Sequence, residues 1–249
     1  MSQLGDRRAL ARTLTWIEAG DARGAEAAAG PESPGSGYVV GITGPPGAGK
    51  STLVSRLVAG LREEGQTVAV LAVDPSSPRT GGALLGDRIR MADHTHDPGV
   101  YIRSMASRGR LGGLAEAVPP AVQALRACGF DWVLVETVGV GQSEVEVAGQ
   151  ADTTVVVLTP GAGDDVQASK AGLLEVADIF VLNKADRPGI ELTARQLIEA
   201  RGLSTPRSWR PPVQPCTAET GDGVESVLAA IRQHREHIAT QHGAAATRC

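Results

Sequence analysis

Seven short apolar runs recur along the chain, with helix-like stretches between most of them. They are YVVGI (38–42), TVAVLAV (67–73), GVYI (99–102), WVLVE (132–136), TTVVVL (153–158), IFVL (179–182) and a weaker one over 212–216. Most are continuous rather than alternating. Strands buried on both faces have that pattern. The stretches 51–64, 112–128, 165–176 and 190–201 have helical spacing. This order predicts an α/β sandwich with a mostly parallel central sheet. Ahead of it, residues 6–28 read as one amphipathic helix, with Leu10, Leu14 and Ile17 on its apolar side. GPESPGSG (30–37) then reads as a linker. The expected organisation is an N-terminal helix and linker (1–36), a main domain (37–237) and a polar, frayed tail (238–249). No internal repeat is visible.

Composition narrows the class. The 249 residues are 42% apolar but only 3% aromatic, so the core is built of Val, Leu, Ile and Ala. A net charge of −4 argues against a broad nucleic-acid surface. The cysteines, Cys128, Cys216 and Cys249, show no CxxC spacing, which favours a reduced cytosolic setting. The segment MSQLGDRRALARTL lacks the apolar stretch of a signal peptide. No run approaches the roughly 20 apolar residues of a membrane helix.

The candidate chemistry starts at Gly44-Pro45-Pro46-Gly47-Ala48-Gly49-Lys50-Ser51-Thr52. The spacing is G-x4-G-K-S, placed between a strand and a helix, which is the context a phosphate loop requires. A polyphosphate needs several N–H donors converging on one point, and small residues let the backbone curl around it. The helix start adds partial positive charge. Lys50 would reach the β- and γ-phosphates, and the Ser51 hydroxyl would bind Mg2+, a hard cation that prefers oxygen. A Gly-rich turn with a surface lysine is the plain alternative.

Asn183-Lys184-Ala185-Asp186 follows IFVL at the carboxyl end of a strand, where open α/β sheets bind ligands. Asp186 can accept hydrogen bonds from guanine N1–H and the 2-amino group, a pair that adenine lacks. Asn183 could hold the other base edge or tie loops together, and the Lys184 stem could lie over the ring. In CTAETGDG (216–223), the turn at Thr217-Ala218 could offer the Ala218 N–H to the guanine carbonyl; an ordinary turn before the last helix fits equally.

In VLVETVGVGQ (133–142), Glu136 could hold a Mg2+-bound water, and the Gly139 N–H could sense a γ-phosphate. Ser143 and Glu146 fit a helix capping box. Asp74, at the end of TVAVLAV, could position or deprotonate the attacking water or hold metal water; an Asp-Pro turn is the alternative. Asp87 reads either as a switch residue or as a solvated helix start. HTHD (94–97) is the one candidate metal cluster, with a solvated loop the preferred reading.

The stretches VDPSSPRTGGALLGDRIRM, RSMASRGRLGGLA, VETVGVGQSEVEVA and PGAGDDVQASKAG, followed by ADIFVLNKAD, closely resemble the MeaB/ArgK/MMAA group of P-loop GTPases. The resemblance covers residues 1–237. It implies a GTP/GDP-binding, Mg2+-dependent GTPase that chaperones adenosylcobalamin-dependent acyl-CoA mutases, gating B12 loading and removal of damaged cofactor. By the resemblance Lys50 and Ser51 serve nucleotide and Mg2+. Asp74, Asp87 and Glu136 are metal and switch acids, and Asn183, Lys184 and Asp186 read guanine. The loop 161–170 resembles a third switch that answers to the mutase, with Lys170 implicated in hydrolysis; by itself Lys170 reads as a solvated helix residue. Arg108, in SRGR, could contact phosphate or partner, or be a loop charge. The group also forms homodimers through a helical C-terminal arm that lies beyond the region compared. A metal-insertion GTPase of similar fold, a small-molecule kinase and a partner-binding module with a dead nucleotide site are the rival functions.

Overall fold

The apolar runs become parallel strands because helices cover both of their faces. The computed structural model describes residues 6–28, 37–74, 94–106, 113–137, 151–160, 175–202 and 208–246. The strands are β1 (Tyr38–Thr43), β2 (Val68–Asp74), β3 (Val100–Ala106), β4 (Trp132–Thr137), β5 (Thr153–Leu158), β6 (Ile179–Asn183) and β7 (Val213–Cys216). They form one seven-stranded sheet in the order β3-β2-β4-β1-β5-β6-β7, and every pairing is parallel. The expected α/β sandwich with a parallel sheet is therefore the observed fold.

Side chains alternate between two apolar layers, as strand geometry requires. Val40, Ile42, Val70, Leu134 and Val155 face one layer, covered by α3 (Lys50–Glu63) and α6 (Val224–Ala246). Val39, Leu71, Val133 and Val135 face the other, covered by α1 (Arg7–Ala19), α2 (Ala22–Ala28) and α4 (Gly113–Ala127). A smaller cluster, with Val156, Phe180, Leu182 and Leu197, seats α5 (Ile190–Gly202) over β5 and β6.

Three boundaries differ from the sequence reading. Residues 6–28 form two helices, because Gly20 adopts a left-handed conformation (φ 69°) and ends α1. Helix α2 then folds back so tightly that a Cβ at Gly24 would lie 2.5 Å from the Ile17 nitrogen. Leu10, Leu14 and Ile17 are buried on the sheet side, so this helical pair joins the core without adding a strand. Strand β3 runs on to Ala106 rather than ending at 102, since β2 offers ladder partners as far as Asp74. The last helix continues past His237 to Ala246, where the tail was expected to fray. Its alanines are strong helix formers and no proline interrupts it. The helix expected over 165–176 lies outside the described residues except for its last two positions, which are helical.

Strand β1 sits between β4 and β5, and the connections that follow diverge to either side of it. Such a switch point opens a crevice at the strands' carboxyl ends. The phosphate-loop pattern begins at that end of β1.

Candidate functional site

The loop 44–49 turns sharply out of β1 and enters α3 at Lys50. Glycine is required twice. Gly44 has φ 143°, and a Cβ there would sit 2.1 Å from the Val157 carbonyl oxygen. Gly49 caps α3 at φ 87°, and its Cβ would sit 2.2 Å from Asn183 Nδ2. Pro46 and Gly47 are exposed at the loop's crest, whereas Ala48, Lys50 and Ser51 are buried. Thr52 is exposed on the first turn of α3.

Lys50 folds back over this loop. Its Nζ donates to the Gly44 carbonyl at 2.7 Å and the Pro45 carbonyl at 3.0 Å. These contacts place the ammonium where phosphate oxygens would enter, and a charged phosphate oxygen binds an ammonium more strongly than a neutral carbonyl does. Ser51 Oγ donates to Glu136 Oε1 at 2.5 Å. Glu136 is 2% exposed at the end of β4. A hydroxyl and a carboxylate in contact beside a helix start supply the hard oxygen donors that Mg2+ prefers, so these residues fit the ion. Ser51 would bind it directly and Glu136 would hold it through water. The ion would offset phosphate charge.

The second half of the site is fastened to the first by Asn183. This side chain, 2% exposed, donates from Nδ2 to the Ala48 carbonyl at 2.7 Å. Its Oδ1 accepts from the Ala218 N–H at 3.0 Å. One buried amide therefore joins the phosphate loop, the end of β6 and the turn after β7. Of the two roles open to Asn183 in the sequence, this arrangement is the loop tie. It also means that the Ala218 N–H, expected to meet a base carbonyl, is engaged by Asn183. Lys184 has φ 59°, a conformation non-glycine residues avoid, and its Nζ donates to the Gly47 carbonyl at 2.7 Å. Its stem thus spans from the base-side loop to the phosphate loop. Asp186, two residues on, is exposed.

The turn 217–223 is closed by its own hydrogen bonds. The Thr217 N–H donates to the Asp222 carbonyl at 2.8 Å, and Thr220 Oγ1 bonds the Asp222 carboxylate at 2.6 Å. Beside it, burial pushes the Cys216 thiol up to about 11, aided by the nearby negative Asp222, so it is no nucleophile. From α3, Arg56 donates Nε to the Ala218 carbonyl at 3.1 Å and an Nη to the Glu219 carbonyl at 2.6 Å. No pattern along the chain singles out Arg56, because nothing marks one arginine on a helix as reaching another loop.

The structure thus brings together Gly44–Thr52, Glu136, Asn183, Lys184, Asp186, Thr217 and Ala218 at one sheet end. Asp74 ends β2 at the same edge, paired in register with Ala106, but its side chain lies outside the described residues. So do Asp87, Arg108, Gly139, Ser143, Glu146 and Lys170. The HTHD stretch has structural roles. His94 Nε2 bonds Ser55 at its hydroxyl (3.2 Å) and carbonyl (3.0 Å). Asp97 pairs with Arg62 at 2.9 Å and accepts from the Gly99 N–H, and Arg62 holds its carboxyl below the usual range. Among the described residues, no group of three or more His, Cys, Asp or Glu could hold a metal, and no helix is long and apolar enough to cross a membrane.

A parallel sheet with a G-x4-G-K-S loop leaving its central strand, and an N-K-x-D loop fastened beside it, defines a P-loop GTPase fold. The chain belongs to the family described as methylmalonyl Co-A mutase-associated GTPase MeaB, which it matches over residues 10–249. It is 52% identical over 240 residues to a putative GTPase of Pyrococcus abyssi, covering 94% of this chain and 74% of that one. It is 39% identical over 216 residues to the mouse mitochondrial methylmalonic aciduria type A homolog, covering 85% of this chain and 52% of the relative. A crystal structure of a LAO/AO transport system kinase superposes with a TM-score of 0.76 at 30% identity, covering 96% of this chain and 74% of that one. Membership in a GTPase family carries guanine-nucleotide binding with it.

Proposed function

We propose that this protein is a GTP-hydrolysing switch that chaperones cobalamin loading, protection or reactivation of a B12-dependent acyl-CoA mutase such as methylmalonyl-CoA mutase. The observation that carries the reading is the Asn183 tie, which makes phosphate loop and base-side loops one unit. The family description supplies the mutase connection.

In this reading the chain's own groups mainly position the nucleotide and stabilise charge, which is most of what phosphoryl transfer asks of a protein. The loop N–H groups and the α3 N-terminus bind the phosphates. Lys50 leaves its two carbonyls for phosphate oxygens. Ser51 and Glu136 hold Mg2+. Asp186 accepts from guanine, and the Ala218 N–H is available to the base if Asn183 releases it. Asp74 positions the attacking water, Asp87, Gly139 and the 161–170 loop respond to the γ-phosphate, and Lys170 assists hydrolysis. The mutase binds one loop arrangement better than the other, and that difference in affinity is the whole of the coupling. The protein acts in the cytoplasm, where Cys128 and Cys216 stay free thiols, and pairs as a homodimer.

The test is cofactor transfer. Apo-mutase is mixed with adenosylcobalamin and this protein in the presence of GTP, GDP or a non-hydrolysable GTP analogue, and holo-mutase formation is followed by absorbance. Loading that depends on which nucleotide is present supports the switch. Loading indifferent to nucleotide refutes it. The solved relative called a transport system kinase favours a second reading, a small-molecule kinase. Phosphate transfer from GTP to an added acceptor, in place of release, would select that reading.

A further inference from the structure

The phosphate-binding helix also reaches the base side of the site. Arg56 lies six residues beyond Lys50, about 9 Å further along α3 at 1.5 Å per residue. There its guanidinium makes two hydrogen bonds, to the Ala218 and Glu219 carbonyls. Both acceptors are backbone groups of consecutive residues, so the planar fork fixes the turn's path and not merely its proximity. The turn is already closed internally by the Thr217–Asp222 bridge, and Gly223 is packed so that a Cβ would sit 2.4 Å from the Pro215 carbonyl oxygen. Such a turn moves as a unit. It is held from β6 by Asn183, through the Ala218 N–H, and from α3 by Arg56, through the next peptide's carbonyl. The two contacts grip opposite sides of one residue.

We infer that Arg56 is a positioning residue for base selection: it sets the Ala218–Glu219 turn against α3 and thereby fixes the guanine-facing side of the pocket. This rests on the guanine-nucleotide reading of the site. Arg56 touches neither phosphate-loop carbonyl nor metal-binding group in the described structure, so its effect belongs to the base end.

The experiment measures equilibrium binding of GTP, ATP and inorganic tripolyphosphate, with kcat and KM for GTP, in wild type, Arg56→Ala, Arg56→Lys and Glu219→Ala. In Arg56→Ala, GTP binding weakens about fivefold, the scale of losing partly exposed charge-assisted bonds. Its preference for GTP over ATP falls by the same factor, while tripolyphosphate affinity and kcat at saturating GTP stay put. Arg56→Lys, which can reach one carbonyl, falls between. Glu219→Ala, which keeps the carbonyl, matches wild type. Equal weakening of GTP and tripolyphosphate, or unchanged GTP preference in both Arg56 variants, overturns the inference while leaving the guanine reading intact. A wild type that binds ATP as tightly as GTP overturns both. Melting curves without nucleotide identify a variant that fails to fold, in which case Arg56→Lys decides.

Discussion

Replacing Asn183 with alanine should disconnect the two halves of the site. The side chain is 2% exposed and makes two hydrogen bonds, to the Ala48 carbonyl and the Ala218 N–H. Truncation leaves both backbone groups buried without these partners. Each orphaned group costs about 1–3 kcal/mol, so a total near 3 kcal/mol is expected. For a chain of this size, each kcal/mol moves Tm by about 2–4 °C, which predicts a fall of roughly 6–12 °C. The phosphate loop also loses its anchor, so GDP affinity should drop about tenfold or more. Thermal melting by circular dichroism and titration with a fluorescent guanine nucleotide give the two numbers. A Tm within about 1 °C of wild type, together with unchanged nucleotide affinity, would refute the claim that one amide holds the site together.

Three further outcomes follow from the same geometry. Gly49→Ala should weaken nucleotide binding, because its Cβ would sit 2.2 Å from Asn183 Nδ2; in a double-mutant cycle the loss should be smaller in the Asn183→Ala background, and full additivity would contradict the contact. Ser51→Ala should abolish the strengthening of GDP binding by Mg2+, read as the ratio of affinities with and without EDTA. A ratio that persists would place the ion elsewhere. Stability should fall in mild acid through His234. Burial, assisted by neighbouring His237 and opposed by Asp178, lowers its folded pKa below the ordinary 6.5. Its native neutral form donates or accepts at Thr153. The stabilising contribution is complete above about pH 6.5 and is lost as pH falls through the lowered folded value. The drop in Tm between pH 8 and 5 should therefore be smaller in His234→Gln, and an equal drop would refute this assignment.

Local spacing explains what the sequence disclosed. The phosphate loop is legible because φ 143° at Gly44 and φ 87° at Gly49 demand glycine at fixed distances from Lys50. Strands β1, β4, β5 and β6 are legible because sheets covered on both faces leave continuous apolar runs. Helix α4 is legible in spite of Pro119 and Pro120 inside it, since burial of Val118, Ala121 and Leu125 outweighs the proline penalty. Partners distant in sequence were not legible. Strand order does not follow chain order. The split between α1 and α2 depends on Gly20 turning left-handed so that α2 can pack on α1. The Arg56 contact spans 162 residues, and no pattern along the chain encodes it. The N-K-x-D spacing points to Asn183, but its choice of tying loops over touching the base emerges only when Ala48 and Ala218 are placed beside it.

The proposed function is a GTP switch that answers to a mutase. Its most direct test is the hydrolysis of GTP and ATP by the purified protein, alone and with a B12-dependent acyl-CoA mutase from the same source. Turnover selective for GTP that rises when the mutase is added is the expected result. Equal use of ATP, or GTP turnover unmoved by any such mutase, would contradict it.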